Sequence, residues 1–149
     1  MNVWLDNHLY LIYQVYGAAF LMMGAVALVV PRHTRSSLMQ HLWLLGIFGL
    51  MHGLLEFVVA ERMFGDSVNL TLTSQFLTIS SFFALFEFGR RSLNLALVPA
   101  YALATTLAVA IGLWGREWSV LATPGARYAF GFSGAAMVAI AFLRDRSNL

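Results

Sequence analysis

The feature that most constrains this chain is the rhythm of its apolar stretches. Five of them follow one another, approximately Leu9 to Val30, Leu38 to Ala60, Val68 to Phe88, Leu95 to Trp114 and Tyr128 to Leu143, with short charged connections between. A helix needs roughly 20 mostly apolar residues to cross about 30 Å of hydrocarbon, and all but the last and shortest stretch meet that length. Backbone groups facing lipid must be satisfied within their own segment, so each stretch is expected to be helical. The expected fold is an all-α integral membrane protein, a single domain over residues 1–149 with about five transmembrane helices. Composition agrees: 60% of the residues are hydrophobic and 11% charged, where a soluble domain carries about a quarter charged. Almost the whole chain is consumed by spans, which leaves little for a soluble catalytic domain. The absence of cysteine excludes disulfides, thiolate metal sites and cysteine nucleophiles. After Met1, the residues Asn2, Val3, Trp4, Leu5 and Asp6 form neither a basic leader nor a cleavage site, so the first span is expected to be retained. Pro99 is expected to kink the fourth span near its start.

The basic residues set the expected orientation. Arg32, Arg35, Arg90, Arg91, Arg144 and Arg146 fall on one side of a five-span arrangement, and Arg62, Arg116 and Arg127 on the other. Positive-inside places the tail in the cytoplasm and the N-terminus outside. Trp4, Trp114 and Trp118 then gather on the outer side, at the depth where indole rings anchor helices. The arginines read as topology signals rather than as a nucleic-acid surface. The expected location is the inner membrane of a bacterium, with the lipid bilayer as the first partner.

The second span carries the chemistry. Ionisable residues within a membrane are costly and point to a function, and this span holds His52 and Glu56 at i and i+4 on one helical face. His41, Leu45 and Gly49 continue that face. Gly46, Gly49 and Gly53 form a neighbouring small-residue strip that lets another helix backbone approach. At 1.5 Å per residue His52 lies about 20 Å from the start of the span, in the outer half of the membrane. The third span adds a polar stripe of Thr71, Ser74, Gln75, Thr78 and Ser81, with Gln75 expected near the depth of His52. A pocket lined by His52, Glu56, Gln75 and Tyr13 or Tyr16 is expected. An imidazole there can ligate haem iron, copper or zinc with Glu56 as co-ligand or supporting acceptor, and His8 at the end of the first span approaches the same depth. The same pair can instead relay protons, or simply hydrogen-bond two helices together. Glu87, with Arg90 and Arg91 at i+3 and i+4, reads as an interfacial ion pair. Gly131, Ser133, Gly134, Ala135 and Ala136 favour tight helix packing or dimerisation. No nucleophile elbow, P-loop, HExxH or dinucleotide fingerprint occurs, and a self-contained enzyme is not expected.

Four segments carry a family resemblance: YGAAFLMMG on the first span, LWLLGIFGLMHGLLEF on the second, FFALFEFGRRSL closing the third and RYAFGFSGAA opening the fifth. In this order they resemble the N-terminal multi-span sensor regions of bacterial histidine kinases and diguanylate cyclases. The family's His-Gly pair followed by Glu and an aromatic maps onto His52, Gly53, Glu56 and Phe57. The chain departs from the pattern at Phe57, where Trp is common, and at Ser133, where Pro is common. The resemblance implies a sensory input module, a homodimer, and a cytoplasmic signalling domain or partner protein that takes its signal from the fifth helix. From the residues themselves, a cofactor site is expected at His52, with Glu56, Gln75 and His41 as neighbours. A more distant similarity is to the copper-dependent ethylene-sensing domain, which relies on a Cys and a first-span Asp that this chain lacks. Two further readings remain open at this point: an accessory subunit of a membrane complex, and a proton-coupled transporter using His52 and Glu56.

Overall fold

A computed structural model describes residues 3–31, 36–114, 125 and 127–146. The described residues are helical, in the order α1 (Val3–Val29), a single turn α2 (Ser37–Gln40), α3 (Leu42–Arg62), α4 (Val68–Ser92), α5 (Leu97–Trp114), a π-helical turn (Arg127–Phe132) and α6 (Ser133–Arg146). Among the described residues three helices are long and apolar enough to cross a membrane: His8–Val29 within α1, Leu42–Arg62 and Val68–Ser92. This is therefore an all-helical membrane protein by length and composition. The side chains of Trp4, Trp114 and Trp118, and of Arg32, His33, Arg35, Arg116 and Arg146, lie outside those described.

The glycine strip on α3 does what small residues do in lipid, where close backbone contact replaces the hydrophobic effect as the force between helices. Gly24 of α1 meets Gly46 and Gly49 of α3 so closely that a Cβ added at Gly49 would stand 2.8 Å from Gly24 Cα. One added at Gly53 would stand 2.8 Å from Gly17 O. Residue numbers rise along α1 as they fall along α3, so the two helices are antiparallel. The same holds between α3 and α4, where Phe48 packs with Ala84 and Leu85, and Leu44 with Phe88. On α6 the order runs the other way. A Cβ at Gly131 would meet the Phe82 ring at 2.7 Å, Gly134 abuts the Phe86 backbone and Gly89 abuts Met137, so α6 lies parallel to α4. Gly131 and Gly134 of the last span are thus spent on packing within the chain, while Ala135 and Ala136 stay exposed.

Caps account for the helix ends. Ser67 Oγ accepts from Leu70 N at 3.2 Å and starts α4, and Ser36 Oγ accepts from Met39 N and starts α2. At the far end of α4 the Asn94 backbone is left-handed, with φ 55°. There Leu95 N donates to Arg90 O and Asn94 N to Arg91 O, the paired bonds of a Schellman ending.

Four expectations change. The second span is not continuous: the chain turns at His41, whose Nδ1–H donates to Ser37 O at 2.7 Å and closes α2 before α3 begins. The third runs past Phe88 to Ser92, because Arg90 and Arg91 fold back onto Glu87 and keep the last turn wound. Pro99 falls in the first turn of α5, where its missing N–H has no helical acceptor to lose, and the helix runs through it. The last stretch opens as a π turn in which Ser133 Oγ donates to Ala129 O.

Candidate functional site

His52 and Glu56 are brought together as the spacing predicts, with Nε2 and Oε1 3.4 Å apart. Both side chains are about nine-tenths buried, with 12% and 11% of their surface exposed. Three rings surround the imidazole: Phe20 of α1 edge-on at 4.7 Å, Phe48 stacked at 5.1 Å and Phe82 of α4 at 5.4 Å. The other ring nitrogen, Nδ1, lies 3.3 Å from Ser81 Oγ. Ser81 in turn donates to Thr78 O at 3.0 Å. The imidazole is therefore set among side chains of three helices, with Nδ1 engaged by Ser81 and Nε2 turned toward the Glu56 carboxylate.

Beside this pair opens a groove of about 680 Å³, within the usual range for small-molecule sites. Leu9, Ile12, Tyr13 and Tyr16 of α1 form one wall, and His52, Leu55, Glu56 and Val59 of α3 another. Phe82 of α4 closes the back, and the π turn supplies the rest through Arg127, Tyr128, Gly131 and Phe132. Tyr13 and Tyr16 line the groove as expected from sequence. Arg127, Ser81 and Phe82 were not anticipated. Arg127 reads in sequence as the end of a charged connection, and its one signal is its position beside the aromatic start of the last span.

Other expected members are elsewhere. Gln75 does not line the groove. Ser74 accepts from Arg62 Nη1 at 2.9 Å, while Ser81 is the α4 residue level with His52, so Gln75 stands near the end of α3 rather than beside its middle. The four extra residues of α4 account for part of this, because every polar residue on it sits about one turn higher than a span ending at Phe88 would place it. His41 is at the α2–α3 turn, eleven residues and about 16 Å of helix from His52. His8 is likewise absent from the groove lining.

The metal set expected from His52, Glu56 and His8 is not assembled. Among the described residues no group of three or more His, Asp or Glu side chains is placed to hold a metal ion. At His52 itself Nδ1 is engaged by Ser81 Oγ at 3.3 Å, while Nε2 has the Glu56 carboxylate 3.4 Å away with no hydrogen bond between them.

Two other polar networks stabilise the ends of the bundle. Glu87, buried near the end of α4, accepts a fork of two bonds from Arg90 at 2.7 and 2.8 Å, one from Arg91 Nε at 2.5 Å and one from Tyr101 OH of α5 at 2.6 Å. Arg90 Nη1 also donates to Leu95 O at 2.7 Å, so one carboxylate joins α4, the turn and α5. The ion pair was legible in the spacing; Tyr101 was not. Close by, Ser36 Oγ donates to Asp145 Oδ1 at 2.8 Å and ties the end of α6 to the start of α2. At the opposite end of the bundle Arg62 donates two bonds to Asp66 at 3.0 Å. Together with the Thr71 hydroxyl, this guanidinium holds the Asp66 carboxyl below its ordinary pKa.

Comparison with known proteins gives no match: no family model, no curated relative and no solved structure aligns with the chain.

Proposed function

We propose that this chain is the transmembrane sensory input domain of a signalling protein, with five spans, its N-terminus outside and its C-terminus in the cytoplasm. Its groove at His52 and Glu56 takes a small lipophilic molecule, and α6 carries the response to a cytoplasmic effector. The alternating directions of α1, α3 and α4, with α6 parallel to α4, support a five-span path. The arginine asymmetry supports its orientation.

One observation carries the reading: the π turn that leads directly into α6 is itself a wall of the groove. Occupancy can therefore act on the helix that exits toward the effector without any intermediate element. A π turn holds the backbone in a wider, less favourable winding than an α-helix and is often found at functional sites. At its other end α6 is held to α2 by the part-buried hydrogen bond between Ser36 and Asp145 and by the packing of Leu38 with Ala141. A ligand shifts such a bundle only through different affinities for its two states, and a groove shared by three helices and the π turn provides those differences.

The test joins the whole chain after Leu149 to a diguanylate cyclase catalytic domain as reporter. His52→Gln, Glu56→Gln and Val59→Trp, the last filling the groove, are expected to change output by about tenfold, within the usual span of allosteric coupling. Unchanged output from all three variants, at equal membrane levels, would overturn the proposal.

A further inference from the structure

The polar groups of the groove have hydrogen bonds left to make. A serine hydroxyl has one hydrogen, and that of Ser81 goes to the Thr78 carbonyl at 3.0 Å, so Ser81 Oγ accepts from His52 Nδ1 at 3.3 Å. In the neutral ring the lone pair is then on Nε2. That nitrogen lies 3.4 Å from Glu56 Oε1 with no hydrogen bond between them, and among the described residues no other group hydrogen-bonds to either atom. Both side chains are about nine-tenths buried and both line the groove. Polar atoms so deeply buried cost free energy until a partner is supplied.

The two atoms stand 3.4 Å apart, which leaves a place about 2.8 Å from each where one oxygen is within hydrogen-bonding distance of both. A hydroxyl suits that place. It has one hydrogen and two lone pairs, so it donates to Nε2 or to a Glu56 carboxylate and accepts from the acid form. An ether or a carbonyl only accepts. An ammonium only donates, and it brings a charge. Glu56 already interacts electrostatically with Arg127 on the same groove, and Arg127 is itself exposed, so the groove calls for no ionic ligand. Its walls are aromatic: Tyr13, Tyr16, Phe82, Tyr128 and Phe132 line it, and the last two leave 61% and 75% of their surface exposed. Such walls gain from stacked or edge-on contact with a further ring.

We infer that the groove binds a neutral, lipophilic phenol, with its hydroxyl between His52 Nε2 and Glu56 and its ring against Phe82, Tyr13 and Tyr16. Hydroquinones belong to this class and lose the donor when oxidised to quinones, so the same geometry separates the two redox forms. The inference rests on the sensory reading of this groove and names its ligand class.

The experiment measures binding by calorimetry to the full chain in nanodiscs of zwitterionic lipid at about pH 7, where a phenol of tyrosine-like pKa is uncharged, with protein-free nanodiscs as baseline. The probes are para-hexylphenol, its methyl ether para-hexylanisole, para-hexylbenzylammonium, and hexylhydroquinone with hexylbenzoquinone, the last pair under nitrogen. Hexylphenol is expected to bind about tenfold more tightly than hexylanisole, the worth of one good buried hydrogen bond, and more tightly than the ammonium. The hydroquinone should exceed its quinone by a similar factor. Glu56→Met removes one of the two polar partners with a side chain of similar size, and should shrink the preference for hexylphenol to about threefold while leaving hexylanisole unchanged. Unchanged helicity and unfolding temperature in Glu56→Met separate lost recognition from lost folding; if that variant does not fold, the probe comparisons on the parent chain decide alone. Equal affinity for hexylphenol and hexylanisole, tighter binding of the ammonium than of hexylphenol, a quinone that matches its hydroquinone, or a Glu56→Met variant that keeps the full tenfold preference would overturn the inference. In that event, blockage of the probes by Val59→Trp keeps the groove as a binding site and the sensory reading with it, whereas binding unaffected by Val59→Trp removes that reading as well.

Discussion

At the scale of single residues, the part of the site that lies on one helix was open to reading and the part that bridges helices was not. His52 and Glu56 meet because i and i+4 share a face, and Glu87 gathers Arg90 and Arg91 for the same reason. Ser81, Tyr101 and Arg127 reach their partners across helices, and the vertical register of one helix against another is not written in any local spacing. Ser81 and not Gln75 stands beside His52, six residues along α4, and the four residues by which α4 outlasts Phe88 account for about one turn of that difference. Ser81 is fully buried and gives Nδ1 its acceptor. Ser81→Ala leaves that N–H unpaired in an apolar ring cage, and is expected to cost about 1–3 kcal/mol. Unfolding in mild detergent, followed by circular dichroism, measures the loss; stability equal to the parent would mean that the Ser81 contact does not hold the imidazole.

At the scale of elements, long apolar periods were sufficient to place helices and insufficient to divide them. The break at His41 depends on one side chain donating to Ser37 O, and the π turn on small residues that have no hydrophobic period to mark them. The α1–α3 contact was half legible, since Gly46, Gly49 and Gly53 announced a close approach without naming Gly17 and Gly24 as the other side. Its consequence is specific. Gly49→Ala would drive a methyl group against Gly24 N and Cα, backbone atoms that move only with the helix, and is expected to destabilise the protein by about 1–3 kcal/mol. Gly65, where an added Cβ meets nothing within 4 Å, is the matched control, and Gly65→Ala should leave stability unchanged. Equal unfolding temperatures for the two variants would contradict the packing described for α1 and α3.

At the scale of the whole molecule, composition identified a membrane protein, and the structure supports that through three helices of spanning length. The full path and its orientation are accessible to labelling because the chain contains no cysteine of its own. In intact cells a membrane-impermeant maleimide should modify Gly65→Cys from outside and Leu95→Cys only after permeabilisation; the reverse pattern would invert the proposed topology. The central claim, that the groove governs α6, is tested most directly by distance. Spin labels at Ser37→Cys and Leu143→Cys report the separation of α2 from the end of α6 in the full chain in nanodiscs. The account predicts that Val59→Trp, which fills the groove, shifts the distance distribution. A distribution indifferent to Val59→Trp would contradict it.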